Sequence, residues 1–331
     1  MKKLLAGLMA AAILLCSACG SAPAEVESTQ EPTDVSETVS QETGNSDSEQ
    51  EYVSLGRSVK IDGETWRYNS SLKTVLFLGV DSREQVEYER IMGSGGRSDT
   101  MIIFIINTDT QTISLMPISR DTIAKVDLYN SKREYITTAE MQITMQYAFG
   151  DCASRSCWLS KKAVTTLLHD LPINYCCSLT LDGVSAAVEL AGGITLTLEE
   201  DWTDIDPSYT AGSTITMDAT QVESFLRYRD SSVFGSNNDR MRRQSWFIKK
   251  LFEQMGKLGS IGTDALLSYI DPYLESDMDA DTIKQLTTYT LSDEIITIPG
   301  ADVEGEYNDQ FYVDDAALQE LLLQTFYQKA E

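Results

Sequence analysis

The stretch from Gly96 to Thr122, GRSDTMIIFIINTDTQTISLMPISRDT, restricts the possible folds of this chain more than any other. Its apolar run Met101 to Ile106 is too short to span a membrane as a helix and is rich in β-branched residues, so it reads as a strand buried on both faces. Polar residues Asn107 to Gln111 follow, and Thr112 to Ser119 returns as a second strand, which predicts a hairpin. Upstream, Lys73 to Val80 reads as a third strand that ends on Asp81. In an antiparallel meander Asp81, Asp99 and Arg120 reach one edge of the sheet. Two carboxylates and a guanidinium suit a divalent cation holding a phosphate, because hard cations take oxygen ligands and Arg meets phosphate oxygens with a planar fork. On spacing alone the two aspartates serve equally well as strand-end and turn caps, and Arg120 beside Asp121 as a structural ion pair.

A second basic group lies further on. Asp218 and Gln221 form a capping pair for a helix over Ala219 to Leu226, which delivers Arg227 and Arg229 at its end. After a Ser- and Asn-rich loop holding Gly235, Asp239 is expected to cap a longer helix with the core stripe Met241, Ile248, Leu251, Phe252 and Met255. Arg240, Arg243 and Gln244 share a face of its first turns, where a helix N-terminus also offers free amides to an anion. Arg242, Lys249 and Lys250 read as residues facing water.

Taken in order, FLGVDSR (77–83), GRSDTM (96–101), PISRDT (117–122), LRYR (226–229) and DRMRRQ (239–244) resemble the LytR-CpsA-Psr family of cell-wall glycopolymer ligases. The resemblance runs from about Lys73 to the C-terminus. It implies that Asp81 and Asp99 hold Mg2+ (or Mn2+), and that Arg83, Arg97, Arg120, Arg227, Arg229, Arg240, Arg243 and Gln244 hold a pyrophosphate. It also implies an apolar pocket for a polyprenyl tail. The match has gaps. Gln142 to Gln146 stands where relatives show a Lys-Leu-Asn-Ala-Ala-like run, and Ala124 stands where some carry a further Arg. The spacing from Asp81 to Asp99 is long, and the insert around Val86 to Ser94 reads as a flap.

The chain starts with a targeting segment. Lys2 and Lys3 precede the apolar run Leu4 to Leu15, shorter than the ~20 residues of a spanning helix. The run meets Cys16-Ser17-Ala18-Cys19-Gly20, which resembles a bacterial lipoprotein site with Cys19 acylated; cleavage after Ala18 or Ala22 as an ordinary secretory signal is the other reading. Both export the protein. Residues 1–18 are thus expected to be a signal peptide, 19–66 a lipid anchor and acidic disordered tether, and 67–331 the catalytic domain. Gly20 to Glu51 holds no Lys or Arg and almost no large apolar residue, so nothing there offsets ordering entropy. A flexible chain from Gly20 on to about Trp66 spans roughly 35–40 Å.

The formal net charge of −25 disfavours a nucleic-acid partner, because an acidic surface repels phosphate backbones. Within it, grouped arginines mark a local anion site. Beyond Cys16 and Cys19 there remain Cys152, Cys157, Cys176 and Cys177, which allow three pairings. Cys176 and Cys177 face opposite sides of an expected strand, and a local Cys152 to Cys157 bridge is the preferred pairing. His169, the only histidine, reads as a helix-end residue rather than a ligand.

The expected fold is a three-layer α/β/α domain with a mixed central sheet, because strands alternate with helices while the first three are hairpin-linked. The resemblance implies an extracytoplasmic phosphotransferase at the outer face of the bacterial membrane. It would move an anionic glycopolymer from a polyprenyl pyrophosphate carrier to peptidoglycan. A polyprenyl pyrophosphate hydrolase and a non-catalytic envelope binding or regulatory protein are the alternatives.

Overall fold

The computed structural model describes residues 53–83, 85–86, 91–230, 232–255, 259–306 and 308–330. The expected signal segment, Cys19 and the tether to residue 52 lie outside the described residues, as does the middle of the expected flap, residues 87–90. The ends of that flap are tied down: Val86 N–H donates to Pro272 O and Gly93 N–H to Ala148 O, both at 2.7 Å.

A six-stranded sheet organises the molecule. Its strands are β1 (Leu72–Val80), β2 (Ser98–Asn107), β3 (Thr112–Ile118), β4 (Tyr175–Thr180), β5 (Leu274–Ser276) and β6 (Thr290–Ile295), in the order β5-β4-β1-β2-β3-β6. The first three form the expected antiparallel meander. β4 runs parallel to β1 and β6 parallel to β3, while β5 is antiparallel to β4, so the sheet is mixed. The β2–β3 turn is held by Asn107, whose Oδ1 accepts from the Asp109 and Thr110 amides at 3.0 and 3.1 Å.

Both faces of the sheet are covered, which is why β1 and β2 read as continuous apolar runs. Val75, Phe77, Ile102 and Phe104 point to one side, where they meet α2 (Leu181–Ala191), α3 (Ala219–Arg227), α4 (Ser236–Met255), α5 (Gly259–Ile270) and α6 (Ala280–Leu286). Leu76, Leu78, Met101 and Ile103 point to the other, against α1 (Ala153–Leu167) and α7 (Asp315–Phe326). α4 begins at Ser236, three residues before the expected cap Asp239, which lies in its first turn, but other helix ends follow the capping residues. Asp218 and Gln221 complete a capping box on α3, Asp279 and Asp314 cap α6 and α7, and Gly192 at φ 71° closes α2.

Several expectations give way. The chain from Arg120 to Gly150, where the sequence carries no strand signal, contains the hairpin Ile123–Tyr129 with Tyr135–Gln142 before a 3-10 turn over Ile143–Phe149. The outer strand of that hairpin is largely exposed, so no apolar alternation announced it. Part of the stretch read as tether is folded: Ser58–Ile61 pairs with Glu64–Tyr68, which pairs in turn with Tyr327–Lys329. The signal was Asp62-Gly63, both at positive φ (51° and 81°), the geometry of the favoured two-residue hairpin turns. The local Cys152 to Cys157 pairing is also displaced. Cys157 on α1 and Cys176 on β4 are buried in one core with their thiols hydrogen-bonded, whereas Cys152 Sγ lies 3.3 Å from Ser154 Oγ. Cys177 faces the opposite core, as strand alternation requires. His169 sits just beyond α1, buried, with Nδ1 3.0 Å from Val53 O.

Candidate functional site

The meander brings the front-edge residues together through a bulge. Gly79 pairs with Thr100 but Val80 pairs with Ser98, so Asp99 is the extra residue between them, and such a bulge re-aims a side chain. The Arg97 carbonyl accepts from the Asp81 amide at 2.9 Å and the Asp99 amide at 3.0 Å, tying the two carboxylate-bearing segments to one point. Gly96 makes this approach possible: its φ is +77°, and a Cβ there would stand 2.9 Å from Asp81 O.

Asp99 is held by Arg120 Nη1 at 2.5 Å and by Thr144 Oγ1 at 3.4 Å. Asp81 faces Arg227 Nη2 at 3.3 Å, and Arg227 Nη1 donates to Glu223 at 2.8 Å. Glu223 also receives Arg83. These two arginines outweigh the desolvation of Glu223 and lower its pKa, while Glu223 raises that of Arg83.

Behind this edge α4 supplies Arg240. The residue is only 6% exposed, its Nη2 donates to Asn237 Oδ1 at 2.6 Å, and its Nε has no hydrogen-bond partner among the described residues. Burial lowers its pKa to about 10, against the opposing pull of Asp99. Arg120 Nε is buried and lacks a hydrogen-bond partner in the same sense. Two buried guanidinium donors left open next to two carboxylates make a site with spare capacity for an oxyanion.

A cavity of about 180 Å³ opens from this cluster between the sheet and the helices on its α2–α6 side. Asp81, Asp99, Arg227, Arg240 and Gln244 lie at its polar part. Phe77, Phe104, Leu179, Val184, Phe247 and Leu251 line the rest. An anionic head with an apolar tail matches that division of surface.

The remaining candidates are placed differently. Arg243 is buried with its Nε on Phe225 O at 2.6 Å and its Nη2 on Tyr228 O, and Gln244 Nε2 donates to Leu226 O at 3.0 Å. Both therefore satisfy the last carbonyls of α3, and Arg243 is not among the cavity residues. Arg229 is engaged by Asp309 at 2.7 Å, by Ser236 Oγ at 3.0 Å and by Asp121 at 3.8 Å. Arg83 is 61% exposed and pairs with Glu223, and Arg97 is exposed; neither lines the cavity. Arg242 pairs with Glu200 and Asp239 on the surface, in keeping with the expectation that it faces water.

Sequence reasoning missed Glu223, Asn237 and Asp309. Asn237 stood in view, one turn before Arg240, but Asp309 is eighty residues from its arginine and carried no local signal. Asp121 is almost fully buried, and desolvation raises its pKa although Arg120, Arg229 and Arg240 pull it down.

No cluster of three or more metal-ligating side chains occurs among the described residues. The donor set nonetheless fits Mg2+ or Mn2+, since such ions commonly rest on one or two carboxylates and take their other ligands from water and substrate phosphate. Asp81 and Asp99, both at the cavity, would be those carboxylates. Among the described residues no helix is long and apolar enough to cross a membrane.

Comparison with known proteins bears on family and fold. The LytR_cpsA_psr family model matches residues 35–327. The chain is 25% identical over 255 residues to Biofilm regulatory protein A of Streptococcus mutans, a match covering 70% of this chain and 59% of that protein. It is 27% identical over 218 residues to the polyisoprenyl-teichoic acid--peptidoglycan teichoic acid transferase TagU of Enterococcus faecalis, covering 64% of each. Each match thus spans less than two thirds of the relative's length. The solved structure of TagT bound to LI-WTA shares the fold, with a TM-score of 0.56 at 19% identity over 83% of this chain and 98% of that one.

Proposed function

The chain belongs to the LytR-CpsA-Psr family, and on that premise we propose that it is an extracytoplasmic phosphotransferase. It moves an anionic glycopolymer from a polyprenyl pyrophosphate carrier to a peptidoglycan hydroxyl. The observation that carries this reading is the cavity whose polar end holds Asp81, Asp99, Arg227 and Arg240 and whose remainder is apolar. A lipid pyrophosphate is the amphiphile that such a division of lining fits. The transferase TagU, a relative of this chain, is named for the same class of reaction. We further propose that Cys19 carries the lipid anchor.

In the reaction the acceptor oxygen bonds to the glycan-side phosphorus, the bridging P–O bond breaks, and polyprenyl phosphate departs with the bridging oxygen. Arg240, rigidly buried, and Arg227, at the mouth, stabilise the negative charge that shifts onto that oxygen. Arg120 fixes Asp99, and its Nε, 3.6 Å from Asp121 Oδ1, makes no hydrogen bond among the described residues. Bound at Asp81 and Asp99, Mg2+ or Mn2+ would neutralise pyrophosphate charge. The hydroxyl proton passes to a carboxylate of the mouth, and Asp81, more exposed than Asp99 (43% against 26%), is the better placed to receive it. Positioning and electrostatics supply most of the rate in phosphoryl transfer of this kind.

The test uses the purified protein with a short-chain polyprenyl pyrophosphate-linked glycan, with and without a peptidoglycan fragment. Polymer joined to the fragment is the expected product. Release of polymer phosphate at the same rate in both tubes would instead assign the site to hydrolysis, and no turnover of any kind would leave a binding protein.

A further inference from the structure

A second cavity, about 390 Å³, lies on the far side of Asp121 between the hairpin strand Tyr135–Gln142 and the segment before Gln310. That volume falls in the range of small-molecule binding pockets. Its chemistry is the reverse of the first. Glu140 and Glu306 contribute carboxylates, Gln142 and Asn308 contribute carboxamides, Met141 and Met145 provide apolar surface, and no Lys or Arg lines it among the described residues.

A relay of contacts runs from the wall of the second cavity toward the first. Gln142 Nε2 donates to Asp121 Oδ1 and to Asp309 O, both at 2.9 Å, and the Asp309 carboxylate holds Arg229 at 2.7 Å. Asp121 follows Arg120, which holds Asp99 at the mouth of the first cavity. The wall is braced as well: Phe311 N–H donates to Asp121 O at 2.9 Å, and Thr122 bridges to Phe311.

We propose that this second cavity seats the acceptor, a neutral, hydroxyl-rich saccharide segment. The proposal rests on the phosphotransfer reading above and adds to it the place where the acceptor sits. Sugar hydroxyl and acetamido N–H groups are donors that carboxylate and carboxamide oxygens accept, and the C–H face of a pyranose packs on thioether and aliphatic surface. Charge separates the two substrates. A polyanionic donor is repelled by Glu140 and Glu306 and drawn to the arginine-lined cavity, whereas an uncharged acceptor suffers no such repulsion. Gln142 is then a wall shared between the acceptor seat and the arginine network.

The full chain is titrated by calorimetry with the tetrasaccharide of N-acetylglucosamine, with a galacturonate tetramer as the anionic counterpart, and with geranylgeranyl pyrophosphate. The neutral tetramer is expected to bind about tenfold or more tightly than the galacturonate. Met145→Trp, which fills the cavity, should weaken the neutral tetramer by about tenfold while leaving geranylgeranyl pyrophosphate within about twofold. Glu140→Lys, on an exposed strand that tolerates the change, should reverse the preference toward the galacturonate. Equal binding of the two tetramers, or neutral binding that survives both substitutions in folded protein, overturns the proposal. Failure of geranylgeranyl pyrophosphate to bind the unmodified chain would instead sink the reading of the first cavity, and the saccharide result would stand apart from it.

Discussion

Replacing Arg240 by Met separates what this side chain does for binding from what it does for folding. The guanidinium is 6% exposed and its pKa falls from the usual arginine range to about 10, chiefly through burial. That fall corresponds to roughly 3 kcal/mol held against the charged form in the folded protein. At neutral pH the group nevertheless stays charged, since about 10 is still well above ambient. Removing the charge relieves the desolvation cost, and it also deprives Asn237 Oδ1 of a donor and Asp99 of a nearby cation. The second loss is worth about 1–3 kcal/mol, so the two nearly cancel. Arg240→Met should therefore unfold in urea within about 1 kcal/mol of the parent, as buried charges replaced by apolar groups of like volume often do. Binding should behave otherwise. A charge-assisted bond to phosphate is worth about 1.5–3 kcal/mol, so affinity for geranylgeranyl pyrophosphate should fall by about tenfold to a hundredfold. The fall for the monophosphate should be smaller. A variant that loses several kcal/mol of stability yet binds the pyrophosphate like the parent would refute the reasoning, and Arg240 would then be a structural residue.

Other outcomes follow from the same geometry. Arg243→Met should bind geranylgeranyl pyrophosphate normally once folded but lose about 2–4 kcal/mol of stability in denaturant, because two α3 carbonyls lose a charged donor; full stability would refute that role. Asp99→Asn should abolish turnover that depends on added Mg2+ while leaving the melting curve nearly unchanged, and normal turnover would remove Asp99 from the metal set. Arg242→Ala, which breaks only exposed pairs, should change stability by about 0.5 kcal/mol or less and pyrophosphate binding not at all. Treating the protein with oxidised glutathione should join Cys157 to Cys176, as read by peptide mass mapping, with reduced glutathione released; a Cys152 to Cys157 link would contradict the packing of α1 on β4.

The meander and its carboxylate edge were legible because strands buried on both faces advertise themselves as β-branched apolar runs, and because antiparallel pairing fixes which ends meet. The capping box of α3 was legible for the same local reason. The bulge at Asp99 was not, since it depends on Gly79 and Gly96 meeting Thr100 and Asp81 in space. Arg243 and Gln244 share a helix face with Arg240, which is why the sequence groups the three, but the sequence does not show that their donors also serve the end of α3. A clue was available: α3 ends at Arg227 and Tyr228 without a glycine cap, so its carbonyls needed donors from elsewhere. The second cavity could not be foreseen at all. It joins a polar strand to a segment some 165 residues away, through Gln142 and Asp309.

The open Nε donors of Arg120 and Arg240 bear on how long the protein survives in its compartment. A folded chain that carries unfilled buried donors gains stability from any oxyanion that fills them, by about 2.7 kcal/mol when the ligand stands at a hundred times its dissociation constant. Proteases remove chains in proportion to how often they open. On the proposed function, a plentiful lipid-linked precursor would keep the protein filled and rarely open, whereas a scarce one would leave it empty and more often cleared. Its abundance would then follow precursor supply without any transcriptional signal.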